Sequence, residues 1–155
     1  QQIQSALPEV ELYGLDLSGS YLKQASKYLS SRNGDLVQLT KANAENMPYA
    51  SNSFQALTCV FLFHELPRDA RQNVLNECFR LLEPGGVLIL ADSIQIEDSP
   101  KFTPIMENFH KIFHEPFYRD YIIDDINLRL ESSGFTSISS ESHFMTKVWK
   151  ANKPV

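Results

Sequence analysis

The chain has 155 residues, of which 43% are hydrophobic and 21% charged, the size and balance of a single globular domain. Its net charge of −5, with no basic stripe, weighs against nucleic acid or an anionic membrane surface as a partner. No run approaches the roughly 20 apolar residues of a membrane span, and nothing at the start reads as a signal peptide.

Cys59 and Cys78 lie in apolar runs and read as small core hydrophobes, so a reducing, cytoplasmic setting is expected. The chain opens on Gln1-Gln2-Ile3-Gln4 instead of Met and is read as a fragment, a processed form or a trimmed chain.

Gln1–Leu7 reads as the last turns of a helix, with Ile3 and Leu7 four apart and Pro8 ending it. Val10–Asp16 is a strand that delivers a carboxylate at its tip. Ser18 then caps a helix whose apolar stripe is Tyr21, Leu22, Ala25, Tyr28 and Leu29. Asn33-Gly34 is a turn, Leu36–Thr40 a short second strand, and Lys41–Ser53 a polar loop. Phe54–Phe63 is nearly all apolar, the pattern of a parallel strand buried on both faces.

Pro67 ends that run, and Arg68–Leu82 is a helix with Val74, Leu75, Cys78, Leu81 and Leu82 inward. Pro84-Gly85-Gly86 is a tight turn before a third buried strand, Val87–Ala91. Thr103 is read as the cap, and Pro104 as the first position, of a helix striped by Ile105, Met106, Phe109, Ile112 and Phe113. Asp124–Ser133 is another, ended by Gly134. Phe135–Phe144 and Lys147–Asn152 form a terminal antiparallel pair. The expected fold is α/β: a Rossmann-like, doubly wound, mostly parallel sheet with a C-terminal antiparallel hairpin, in one domain spanning 1–155.

Five segments carry chemistry. Tyr13-Gly14-Leu15-Asp16-Leu17-Ser18 puts an acid where a strand meets a helix, the place where such folds grip a ribose. Ala42-Asn43-Ala44-Glu45-Asn46-Met47-Pro48-Tyr49 follows the second strand. Ser53-Phe54-Gln55-Ala56-Leu57-Thr58 leads to Phe63-His64-Glu65-Leu66. Arg80-Leu81-Leu82-Glu83-Pro84-Gly85-Gly86 precedes the third buried strand, and Ser133-Gly134-Phe135 lies near the end. In this order they resemble the class I S-adenosylmethionine-dependent methyltransferases, in the group of the ubiquinone/menaquinone C-methyltransferases and type 11 domains.

The resemblance implies S-adenosylmethionine as cofactor and a small-molecule acceptor, aromatic or lipid-like. It implies Asp16, Leu17, Asn43, Ala44 and Phe61 as cofactor-binding positions, with Asp16 on the ribose and Asn43-Ala44 on the adenine. Asn43 stands where the family usually has Asp, and alternatively structures its loop. His64 is the candidate for acid–base work, or else a capping or substrate-shaping residue. The aromatic stretch Phe113–Tyr121, with Arg119, falls where the family has its substrate lid, and reads equally as a packing helix. No metal is expected, because His110, His114 and His143 lack ligand spacing and His64-Glu65 lacks the second His of a zinc motif.

The family's glycine-rich turn belongs about 20 residues upstream of Asp16, before Gln1. The expected sheet therefore lacks its first, central strand, leaving neighbours to re-pair or to associate with another chain. The chain alone is expected to bind the cofactor poorly. Two other readings are a non-catalytic methyltransferase-like interaction module and a nicotinamide dehydrogenase sharing the ribose-binding Asp16. The second fits the Asn-Ala-Glu-Asn-Met-Pro and Glu-Pro-Gly-Gly segments less well.

Overall fold

A computed structural model describes residues 2–30 and 38–155. The chain divides into two compact units, Gln1–Pro48 and Tyr49–Val155.

In the first unit, helix α1 (Gln2–Ala6) ends as Leu7 N donates to Ile3 O at 2.8 Å. Strand β1 (Tyr13–Asp16) is followed by helix α2 (Gly19–Ser30) and strand β2 (Gln38–Lys41), which runs parallel to β1 with Asp16 opposite Lys41. The β1 strand starts three residues later than expected, after a turn at Pro8–Glu9. The Asn33-Gly34 turn and the start of the second strand at Leu36 lie outside the described residues. Ser18 caps α2 as expected, its Oγ accepting from Tyr21 N at 3.4 Å. Two strands and their helices enclose little volume, and no described residue of this unit is fully buried.

The second unit carries the core. Strand β3 (Phe54–Val60) leads through a short 3₁₀ turn, Phe63–Glu65, into helix α3 (Arg68–Leu81). The α3 face Val74, Leu75, Cys78 and Leu81 is buried as expected. Strand β4 (Leu82–Ser93) follows directly, then two 3₁₀ turns, helices α4 (Thr103–Phe113), α5 (Tyr118–Tyr121) and α6 (Ile126–Ser132), and the hairpin β5 (Thr136–His143) and β6 (Thr146–Asn152). Strand order is β3-β4-β6-β5, with β3 parallel to β4 and the remaining pairs antiparallel. Asp125 caps α6 through Leu128 N, and Gly134 takes the left-handed conformation after it (φ 98°).

Three sequence expectations need correction. Phe54–Phe63 is not a strand buried on both faces: β3 stops at Val60 and ends the four-stranded sheet. Among the described residues it has one strand neighbour, and Val60 and Phe61 are 59% and 50% exposed. The Pro84-Gly85-Gly86 segment is not a free turn but a bulge within β4. Phe54 pairs with Leu82 and Ala56 with Val87, so the residues between swell outward. Gly86 is required there, since a Cβ would lie 2.9 Å from Glu83 O and 3.1 Å from Gln55 O. Finally, Thr103 lies inside the first turn of α4 instead of capping it. Of that helix's apolar stripe Met106 is buried while Ile105, Ile112 and Phe113 are exposed.

Beyond the bulge, β4 alternates with period two: Leu88, Leu90 and Asp92 are buried, and Val87, Ile89 and Ala91 only partly so. The pleat thus carries a carboxylate into a core position.

Candidate functional site

The turn bearing His64 begins with a strained residue. Phe61 donates the last ladder bond of β3, from its N to Ala91 O at 2.8 Å, and adopts φ 51°, which a bulky side chain disfavours. The chain then doubles back so that Phe63 N donates to Asp92 Oδ2 at 2.7 Å. The fully buried Arg71 grips the other side of Phe63, its Nε donating to Phe63 O at 3.0 Å.

This places His64 Nδ1 2.6 Å from Asp92 Oδ1, an oxygen that also accepts from Ser93 N at 2.7 Å. The Asp92 side chain is fully buried, whereas that of His64 keeps 12% of its surface in contact with solvent. Burial pushes the His64 imidazolium toward losing its proton. The hydrogen bond and charge of Asp92, joined by Glu65 and Glu115, outweigh it and raise the pKa above the usual histidine value. Ligand-type atoms of His64, Glu65 and Glu115 lie within 4.8 Å of one another, a grouping invisible in sequence because Glu115 follows α4. Its effect on an imidazole is to favour the cation.

Aromatic rings surround His64. Phe61, Tyr118 and Tyr121 present edges to it at centroid distances of 6.4, 5.8 and 6.2 Å, and Phe109 stacks on Tyr118 at 4.3 Å. Tyr118 OH pairs with Ser93 Oγ at 2.6 Å. Burial raises both tyrosine pKa values, with Asp92 adding to the shift and the Ser93 bond opposing it at Tyr118. The aromatic stretch read from sequence therefore divides. Tyr118 and Tyr121 are core residues beside His64, while Phe113 is 58% exposed and Arg119 is also exposed.

The other predicted positions belong to the first unit. Asp16 stands at the tip of β1 with Oδ1 accepting from Ser18 N at 2.7 Å, and its backbone O accepts from Ala42 N at 3.2 Å. The β1–β2 pairing thus joins Asp16 to the segment that leads into Asn43 and Ala44. The Asn43 side chain closes its own loop, Oδ1 accepting from Glu45 N at 2.9 Å. Leu17 is 67% exposed.

Asp92, absent from the sequence expectations, is the best-connected acid near His64. A usable signal was present: Asp92 ends the apolar run Val87–Ala91 just as Asp16 ends its own.

Strands alternating with helices, with β1 parallel to β2 and β3 parallel to β4, define an α/β protein. The family model described as "Methyltransferase domain" matches residues 1–86, and the chain belongs to that family. It is 30% identical over 116 residues to demethylmenaquinone methyltransferase of Geobacillus kaustophilus, covering 75% of this chain and 44% of that protein. With the ubiquinone/menaquinone biosynthesis C-methyltransferase UbiE of Rhizobium meliloti it shares 34% identity over 100 residues, 62% of this chain and 35% of that one. The chain thus spans less than half the length of these relatives. Its fold matches a SAM-dependent methyltransferase from Methanosarcina mazei with a TM-score of 0.73 at 15% identity, covering 99% of this chain and 87% of the other. The fold is Rossmann-like, and no helix among the described residues is long and apolar enough to cross a membrane.

Proposed function

We propose that this domain transfers a methyl group from S-adenosylmethionine to a small-molecule acceptor, aromatic or lipid-like in character, in the cytoplasm. The sulfonium of the cofactor supplies an already activated methyl group, so the protein contributes mainly position and proton management. Asp16 holds the ribose: one oxygen is on Ser18 N, and among the described residues Oδ2 is left for a hydroxyl. Leu17 offers an exposed apolar side chain and Ala44 a small one for the adenine, while Asn43 shapes the loop. Phe61 presents a half-exposed ring beside His64, and His64 takes the acceptor's proton. The observation that carries this reading is the β1–β2 pairing, which ties the Asp16 strand tip to the Asn43-Ala44 loop.

Calorimetry with S-adenosylmethionine tests it. Binding by the 155-residue chain is expected to be weaker than micromolar, because no glycine-rich turn lies within it. Fusing the preceding strand and turn of the Geobacillus relative ahead of Gln1 is expected to tighten binding at least about tenfold, the scale of one or two charge-assisted hydrogen bonds. That chimera should transfer labelled methyl to demethylmenaquinone or a related small acceptor. A folded chimera that binds no cofactor would favour a non-catalytic interaction module instead. β3 has one strand neighbour among the described residues, so a second copy is proposed to pair along it at high concentration, which sedimentation would detect as a dimer.

A further inference from the structure

Asp92 makes three hydrogen bonds with two oxygens, to His64 Nδ1, Ser93 N and Phe63 N. Two of the donors are backbone amides, so the carboxylate is locked before it meets the imidazole. An ionised carboxylate only accepts. The Nδ1 of neutral His64 must therefore carry the hydrogen, leaving the lone pair on Nε2.

We infer that Asp92 is a positioning residue for methyl transfer, holding His64 as the Nδ1–H tautomer so that Nε2 takes the proton from the acceptor. This rests on the methyltransferase reading above. In the step, the acceptor's reacting atom forms a bond to the methyl carbon and loses its proton to Nε2. The carbon–sulfur bond breaks, its electron pair stays on sulfur, and the imidazolium formed is stabilised by Asp92.

The rest of the structure fits a proton-transfer role better than a capping one. His64 Nδ1 is spent on Asp92 and not on a helix end; the following helix α3 has Pro67 as its cap, with no side-chain bond. The groups facing the imidazole are Asp92 from β4, Glu65 from its own turn, Glu115 after α4, and Tyr118 and Tyr121 of α5. Three carboxylates with no basic side chain among them favour an imidazolium, and Glu65 and Glu115 repel an acceptor that arrives already anionic. The proton is therefore lost within the site and not in solution.

Nitrogen-15 NMR of His64 in the 155-residue chain tests the inference without needing turnover. Neutral His64 is expected to carry its hydrogen on Nδ1; a neutral form protonated on Nε2 overturns the proposal. Asp92→Asn keeps the shape and one accepting oxygen but removes the charge. Its His64 titration midpoint is expected to fall by about one pH unit, a tenfold change in proton affinity. An unchanged midpoint in a folded variant overturns the proposal, and the wild-type tautomer decides the matter if the variant does not fold.

In the chimera's methyl-transfer assay, Asp92→Asn is expected to lower kcat about 10²-fold with KM nearly unchanged, and to move the acidic limb of the pH profile with the NMR midpoint. A loss confined to KM, with an unmoved profile, identifies Asp92 as structural and overturns the proposal. Failure of the wild-type chimera to bind cofactor counts against the methyltransferase reading alone, since the tautomer is read separately.

Discussion

Arg71 and Asp124 form a buried ion pair, with Arg71 Nη1 2.6 Å from Asp124 Oδ2 and both side chains almost wholly shielded from water. Arg129 reaches the same oxygen at 2.6 Å, and Arg71 also binds Asp120 at 3.0 Å and the carbonyls of Phe63 and Phe117. One guanidinium thus links α3, the His64 turn and the α5–α6 segment. Arg71→Met is expected to destabilise the chain by about 3 kcal/mol, the lower part of the range for breaking a buried pair, because Asp124 keeps Arg129. Urea denaturation measures this, and a change below about 1 kcal/mol would show that the pair contributes little beyond its own desolvation.

The pH dependence of stability has two limbs. The folded His64 pKa is raised, so its contribution is complete below the unfolded value of about 6.5 and is lost as pH rises through the folded value. Burial alone would raise the Asp124 pKa, but hydrogen bonds from Arg129 and Arg71 outweigh it and hold it below the usual value. Its contribution is present above about 3.9 and is lost as pH falls through the lowered folded value. Denaturation midpoints are therefore expected to be highest between about pH 4 and 6.5. His64→Gln should flatten the alkaline limb only; an unaltered alkaline limb would refute the assignment.

Gly86→Ala and Gly85→Ala separate two kinds of constraint. At Gly86 the added methyl meets backbone oxygens at 2.9 and 3.1 Å, which cannot move without breaking the β3–β4 ladder. A loss of about 1–3 kcal/mol is expected. At Gly85 the nearest atom is 3.7 Å away, and the cost comes from φ 82° alone, about 1–2 kcal/mol. Thermal unfolding of the two variants compares them, and a neutral Gly86→Ala would mean that the bulge relaxes.

Asp16→Asn tests the ribose role against a helix-start role. Asparagine retains an oxygen for Ser18 N, so stability should change by no more than about 0.5 kcal/mol. Cofactor affinity of the chimera should fall about 10- to 100-fold, the loss of a charge-assisted hydrogen bond. Equal affinity for the two proteins would assign Asp16 to local structure.

Much of the fold was legible in local pattern. The α3 face from Val74 to Leu81, the Ser18 cap, the β5–β6 hairpin and the left-handed Gly134 follow from periodicity and backbone preference, which neighbours in sequence decide. Burial of a strand was not legible. The apolar run from Phe54 promises two covered faces, but coverage depends on what packs onto the sheet from elsewhere in the chain, and β3, with one strand neighbour among the described residues, leaves Val60 59% exposed. The Pro84-Gly85-Gly86 turn failed similarly, because the same residues that make a turn also make a bulge when a partner strand runs alongside.

Sequence alone offered the candidate positions in each unit, an acid ending the strand at Asp16 in the first and an imidazole following an apolar run at His64 in the second, together with the ordered segments that mark a methyltransferase domain. Only the tertiary structure decided what surrounds His64. Asp92 lies 28 residues away in sequence, and Glu115, Tyr118 and Tyr121 come from beyond α4. The physical reason is the period of a strand: alternation sends Asp92 into the core with Leu88 and Leu90, and parallel pairing with β3 brings it to the turn where the imidazole waits. A carboxylate in that position is costly unless several donors meet it, and Phe63, Ser93 and His64 are the three that do.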